Sequence, residues 1–312
     1  MSGGARLSDL LLERALPVAA RALASAGELA RRSRARSSEA MVALLGEDFE
    51  ARVDAVRANV GERGIDPFGL DPEWAKWAVA CSAVLHRLWF RTEIHGVDRV
   101  PPGRVMLVAN HSGQIPLDGL VIGATMFLDH DPPRVVRSMV ERWSQTLPFI
   151  ALAFQRVGQV VGVQANAKRL LELGECVLVF PEGVRGISKT YAHRYELQPF
   201  GLGFMRLALE TQTPIVPVAV IGAEEQYVSV ANLEGLARLL GLPSLPLLPQ
   251  LLIPGGQLPL PVRYRLRFGD PMRFEGDHDD DDAVIEQKVE AVRAAIDGLL
   301  QRGLAERESV FF

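Results

Sequence analysis

This sequence predicts an α/β fold: a mixed, largely parallel central sheet flanked by helices, with a helical N-terminal extension. Three observations predict it. From residue 92 onward, strand-like apolar runs alternate with helix-like patterns, which is the order of a sheet covered by helices. Several of the runs, such as Val105–Ala109 and Ile215–Ile221, have the length and composition of buried strands. Residues 1–90, in contrast, carry apolar residues at helical spacing, with Met41, Leu45, Phe49, Val53, Val56 and Val60 forming one stripe. The expected organisation is therefore a helical extension over 1–90 and an α/β domain over 91–312.

Length and composition set the outer bounds. The 312 residues suffice for a full core, and 48% apolar with 23% charged residues is ordinary for a globular chain. A net charge of −4 argues against nucleic acid as a partner, which normally calls for a basic surplus. The two cysteines, Cys81 and Cys176, supply neither a disulfide framework nor a metal-ligand set, and they fit a reducing, cytoplasmic setting. No window reaches the ~20 uninterrupted apolar residues of a membrane-spanning helix. Asp9, Glu13 and Arg14 interrupt the apolar run Leu10–Leu12, so the start is not read as a signal peptide, although Leu23–Ala26 imitates a cleavage site.

Taken in order, Arg31, Arg32, Arg34 and Arg36 form a basic cluster. It is read as a solvated helix face; against anionic head groups each charge would contribute on the order of 1 kcal/mol. Asp66–Gly69 marks a turn, and Asp71-Pro72 a helix start. The next stretch carries Trp74, Trp77, Leu85, Leu88, Trp89 and Phe90 among Lys76, Arg87 and Arg91. Two readings stay open there: a helix at a bilayer interface, or a core helix packed on the main domain.

The strands expected beyond it are Val105–Ala109, Val135–Ser138, Gln159–Val163, Cys176–Phe180, Ile215–Ile221 and Val262–Phe268. Helices are expected near Leu117–Phe127, Ala165–Leu173 and Gly203–Glu210. Pro243–Pro261 is rich in proline and leucine and carries no charge, so it is neither a regular helix nor a central strand. Such a loop is packed away, capped by a partner or set in lipid. The acidic run Asp277–Asp282 is read as a helix-start loop rather than a metal site, because acids there favour the helix dipole. Ile285, Val289, Val292 and Ile296 then share one helical face.

Three features carry candidate chemistry. The first is Asn110–Asp118, directly after the Val105–Ala109 strand. His111 offers a base near neutral pH, Asp118 a carboxylate to fix its tautomer, and Pro116 is placed to open a helix. Asp118 in the first turn of that helix has capping as its structural alternative. The second is Phe180–Gly186, after another strand. Gly183 and Gly186 allow close backbone approach, and Arg185 presents a planar donor fork suited to phosphate or carboxylate. Glu182 is placed to pair with that arginine or to bind a hydroxyl; taken alone, strand–Pro–Glu–Gly reads as an ordinary turn with a solvated arginine. Third, Thr213–Gly222 is a core strand bracketed by prolines, which shapes a pocket without a reactive group. No G-x-S-x-G elbow and no phosphate-binding glycine loop appears. Cys176 lies within an apolar run, where a thiol is packing. His86, His95, His130, His193 and His278 lack ligand spacing.

Together Asn110-His111…Asp118, Phe180–Arg185 and Pro214–Val218 resemble, in that order, the motifs of the glycerolipid acyltransferase superfamily, over roughly residues 85–275. Six residues separate His111 from Asp118, more than in the common family motif. That longer spacing, together with Val220–Glu225 and the Pro243–Pro261 segment, looks like the monoacylglycerol and diacylglycerol acyltransferase branch. Glu182 and Arg185 instead look like the lysophosphatidate type.

The resemblance implies acyl transfer from an acyl-CoA or acyl carrier protein thioester to a glycerolipid or lysophospholipid hydroxyl. The resemblance implies no cofactor and no metal, the acyl thioester being a co-substrate. His111 would be the base and Asp118 its orienter, with Glu182, Gly183 and Arg185 at the acceptor. It further implies peripheral attachment to a membrane surface. The alternatives are a neutral or amino-lipid acceptor, or a non-catalytic lipid-binding protein that keeps the fold.

Overall fold

The computed structural model describes residues 39–58, 60, 64–112, 115, 117–141, 149–239 and 244–311. The arginine cluster at Arg31–Arg36, the Leu10–Leu12 and Leu23–Ala26 tracts and the helix-opening role of Pro116 lie outside them. The chain divides into two compact units, Met1–Asp48 and Phe49–Phe312. In the first, residues 39–45 are helical.

The second unit opens with α1 (Phe49–Ala58), whose Phe49, Val53 and Val56 are buried. Helix α2 (Pro72–Ala83) starts where Asp71-Pro72 indicates: the Asp71 side chain accepts the Glu73 amide, and proline occupies the first turn. It runs on into a wider π-turn, Val84–Trp89, closed by the Phe90 amide donating to the Leu85 carbonyl. This stretch divides its apolar residues between both readings: Phe90 is fully buried, whereas Trp77 is 68% and Leu88 64% exposed. Its basic residues are engaged within the protein. Lys76 pairs with Glu50, Arg87 with Asp129, and Arg91 donates to the Trp89 and Pro261 carbonyls.

A seven-stranded sheet follows. Its strands are β1 (Glu93–His95), β2 (Val105–Ala109), β3 (Val136–Val140), β4 (Val160–Val161), β5 (Cys176–Val179), β6 (Ile215–Ile221) and, after two minor strands, β9 (Arg265–Phe268). The minor strands β7 (Ala231–Asn232) and β8 (Pro246–Leu247) pair only with each other. The order is β1-β9-β6-β2-β5-β3-β4, and β6 through β4 run parallel. Strand β9 is antiparallel to β6, and β1 follows β9 in parallel. The sheet is thus mixed and largely parallel.

Alternation along β2 feeds two cores. Met106 and Val108 join the cluster under α5 (Gln164–Glu172), α7 (Gly203–Thr211) and α9 (Asp282–Ala305), the shorter α4 (Ile150–Arg156), α6 (Val184–Ile187) and α8 (Glu234–Leu239) lying elsewhere along the chain. Val105, Leu107 and Ala109 join the opposite cluster under α3 (Leu117–Leu128). Ile285, Val289, Val292 and Ile296 lie on the buried face of α9, which begins at Asp282, the last residue of the acidic run.

Some boundaries differ from the sequence pattern. The strand expected from Val262 begins only at Arg265, because the Arg263 amide bonds the Val310 carbonyl and the Tyr264 amide bonds Phe90 instead of the ladder. Strand β4 shrinks to two residues at the sheet edge, where it pairs with β3 alone. Among its described residues the Pro/Leu-rich segment forms β8, a short 3-10 turn at Pro249–Leu252 and a further turn at 254–257. Burial drives the Cys176 thiol up to about 11, so it stays protonated at neutral pH. Among the described residues, no helix is long and apolar enough to cross a membrane.

Candidate active site

Three parallel strands, β5, β2 and β6, lie side by side, and their carboxyl ends release three loops at one edge of the sheet. Residues 110–112 with Asp118, 180–187 and 222–226 therefore meet at the position where open α/β sheets place ligands.

The first loop is pinned before it leaves the sheet. Buried Asn110 uses its side-chain amide as a ladder rung: Oδ1 accepts the Val220 amide at 2.7 Å, and Nδ2 donates to the Val220 carbonyl at 3.1 Å. His111 comes next, half-buried, with its ring stacked on Phe180 at 4.1 Å between centroids and 21° between planes. Its Nδ1 lies 2.8 Å from Asp118 Oδ2, so the expected approach of ring and carboxylate is present.

Asp118 is fully buried in the first turn of α3. Beyond the histidine, its Oδ2 accepts the Ser112 amide at 2.9 Å, and its Oδ1 accepts the Gly119 amide at 2.8 Å. It meets the ring and satisfies a helix-start amide at once. Three donors converge on one carboxylate, and together they hold the histidine with Nδ1 facing inward.

Glu182 points into the protein. Its Oε1 accepts the His111 amide at 2.9 Å and its Oε2 the Gln198 amide at 2.8 Å. The pairing with Arg185 left open by the sequence is not made. Instead Lys189 lies 3.8 Å from Glu182 and 3.0 Å from Glu224, burying three charged side chains behind His111. Burial pushes the Glu224 carboxyl up to about 7, with Lys189 pulling the other way.

Gly183 takes a positive φ of 56° at the head of a short helical turn. Gly186 sits so close to the first loop that a Cβ there would stand 2.8 Å from both the Cβ and the carbonyl oxygen of His111. Arg185 is exposed, and its guanidinium donates to the Pro199 carbonyl at 3.3 Å.

Four contributors escape a reading of motifs. Phe180 belongs to the motif but gives no sign that it stacks on the histidine. Glu224 follows an apolar strand with Glu225, a paired acidic signal at the same sheet edge as His111. Lys189 and Gln226 have no pattern of their own. Elsewhere, Asp277, His278 and Asp279 place one ligand atom each within 4.8 Å of one another on the surface before α9. An acidic loop alone is a common surface feature.

A family model described as Acyltransferase matches residues 91–221. An uncharacterized protein of Mycobacterium tuberculosis is 37% identical over 260 residues, covering 81% of this chain and 73% of its own. The human protein named DGAT1/2-independent enzyme synthesizing storage lipids is 24% identical over 222 residues, 69% of this chain and 62% of its own. Sheep 1-acyl-sn-glycerol-3-phosphate acyltransferase alpha is 28% identical over 144 residues, 44% of this chain and 47% of its own.

Proposed function

The chain belongs to the glycerolipid acyltransferase superfamily, and from that premise we propose that it moves a fatty acyl group from an acyl-CoA or acyl carrier protein thioester to the hydroxyl of a glycerolipid or lysophospholipid. The observation that carries the reading is the His111–Asp118 contact of 2.8 Å at the carboxyl edge of the sheet. With Nδ1 turned to Asp118, Nε2 is the nitrogen for the acceptor. The acceptor oxygen attacks the thioester carbonyl carbon while His111 Nε2 takes its proton. The tetrahedral intermediate then collapses, the C–S bond breaks, and the leaving thiolate takes the proton back from the imidazolium. Asp118 holds the ring in register and stabilises its charged form; a positioned base of this kind contributes ~10²–10⁴-fold.

For the acceptor, Arg185 is the proposed phosphate partner, since it is exposed beside the histidine loop and carries a planar donor fork. Gly183 shapes that side of the site, and Glu182 supports it from within by holding the His111 amide. A neutral or amino-lipid acceptor is the second reading. It is favoured by the six-residue spacing between His111 and Asp118 and by similarity to a protein named for storage-lipid synthesis.

The membrane surface is the proposed setting. Leu252 is 86% and Ile253 60% exposed in an uncharged segment. The Trp89 indole donates to the Pro259 carbonyl at 3.0 Å, joining that segment to the turn that exposes Leu88. Apolar side chains of this kind insert at the head-group boundary.

The test is transfer from labelled acyl-CoA or acyl carrier protein to a panel of lysophospholipids, monoacylglycerol and diacylglycerol. Arg185→Ala should damage turnover of phosphate-bearing acceptors and spare neutral ones. Equal loss on both classes removes Arg185 from the acceptor site.

A further inference from the structure

The turn after β6 touches the histidine loop from the side opposite Glu182. Gln226 within it is fully buried. Its Nε2 donates to the Ile115 carbonyl at 2.9 Å, and its Oε1 accepts the Tyr264 hydroxyl at 2.8 Å. Ile115 stands between His111 and Asp118 in the chain, and its carbonyl also accepts the Leu117 amide at the start of α3. The Gln226 side chain is therefore bonded to a residue of the connection between ring and carboxylate, at the point where that connection also bonds the start of α3.

The amide is held in one orientation. Tyr264 is fully buried and stacked on Phe90 at 4.3 Å. Burial, with the Asp118 charge adding to it, holds its hydroxyl well above the ordinary value of 10, so it remains a donor. A donor at Oε1 leaves the amide nitrogen for Ile115. The main chain is fixed as well: the Gln226 carbonyl accepts the Leu260 amide at 2.9 Å and the Gln250 side chain at 3.3 Å. A buried amide bonded at both ends costs little to keep, and removing it strands two polar partners.

We propose that Gln226 is a positioning residue for the His111–Asp118 pair, clamping through the Ile115 carbonyl the long connection between them. The inference rests on the acyl-transfer reading for its kinetic consequences, but the clamp itself is measurable without turnover.

Gln226→Met keeps length and apolar bulk and removes the amide. Amide exchange at Ser112 and Gly119, whose N–H groups both bond Asp118, should then accelerate while exchange in β2 stays unchanged. Turnover should fall ~10²-fold in kcat, the loss expected of a misplacement near 1 Å, with KM unchanged. Gln226→Glu adds a signature that packing alone lacks. Protonated, its carboxyl donates to Ile115; ionised, it opposes that carbonyl, so kcat should fall as pH rises through the new group's titration.

A folded Gln226→Met with wild-type kcat and wild-type exchange overturns the inference, whatever the reaction is. Should that variant not fold, a wild-type pH profile in Gln226→Glu overturns it equally. A wild-type protein that transfers no acyl group overturns the acyl-transfer reading, and the exchange measurement then decides the clamp by itself.

Discussion

The main-chain amide of His111 donates to the carboxylate of Glu182 at 2.9 Å, across 71 residues of chain. The second motif of the sequence therefore holds the backbone of the first. Glu182→Gln offers one acceptor where two amides need one each, leaving a buried donor opposed by an NH₂ group. The expected cost is ~1–3 kcal/mol of stability in urea unfolding. Turnover should show a lower kcat with the acceptor KM unchanged. A raised KM with kcat intact would instead place Glu182 against the acceptor.

Gly186 makes a second contact of the same kind. Gly186→Ala places a methyl 2.8 Å from His111 Cβ and its carbonyl oxygen, so backbone must move. Overpacking of this sort costs ~1–3 kcal/mol, and displacement of the histidine should lower kcat ~10²-fold. Gly298→Ala is the control, because nothing lies within 4 Å of its added Cβ on α9. That variant should be about 1 kcal/mol more stable, with kcat unchanged. Equal activities in the two variants would contradict the close approach.

Asp118→Asn keeps size and loses charge. Three donors meet the wild-type carboxylate, and an amide accepts through its single oxygen only. The histidine then loses the partner that fixes its tautomer, and kcat should fall ~10²–10⁴-fold. A pH profile of kcat unchanged in shape and height would remove Asp118 from the reaction and leave it as a helix-start residue.

Glu224 ties stability to pH. Its folded value of about 7 lies above the ordinary 4.5, chiefly through burial. The folded chain holds a proton that the unfolded chain has released, so stability is full below 4.5 and is lost as pH rises through about 7. The loss from this group is on the order of 3 kcal/mol. Urea midpoints between these pH values should fall with rising pH in the wild type and flatten in Glu224→Gln. An equal slope in both would assign the pH dependence elsewhere.

Much of the fold is legible in the residues because continuous apolar runs leave few choices. Val105–Ala109 and Ile215–Ile221 are strands with those same bounds. Strand β1 escapes, since Glu93–His95 has no apolar run and exists by pairing with β9. The reversed direction of β9 is likewise set by its partners and by no local pattern.

The site divides in the same way. His111 and Asp118 are visible because reactive residues follow a buried strand. Glu182 is visible but its direction is not: an arginine three residues on suggests pairing, whereas the His111 and Gln198 amides claim both oxygens. Gln226 and Lys189 have meaning only once three strand ends are brought together, which is a property of the sheet order.

The most direct measurement is acyl transfer by the purified wild type and by His111→Ala, using labelled acyl-CoA and the panel of lysophospholipid, monoacylglycerol and diacylglycerol acceptors. Transfer by the wild type to at least one acceptor class is expected, with a loss of at least ~10²-fold in a folded His111→Ala. Full activity retained in His111→Ala, or no transfer by the wild type to any acceptor, would rule out His111-based acyl transfer.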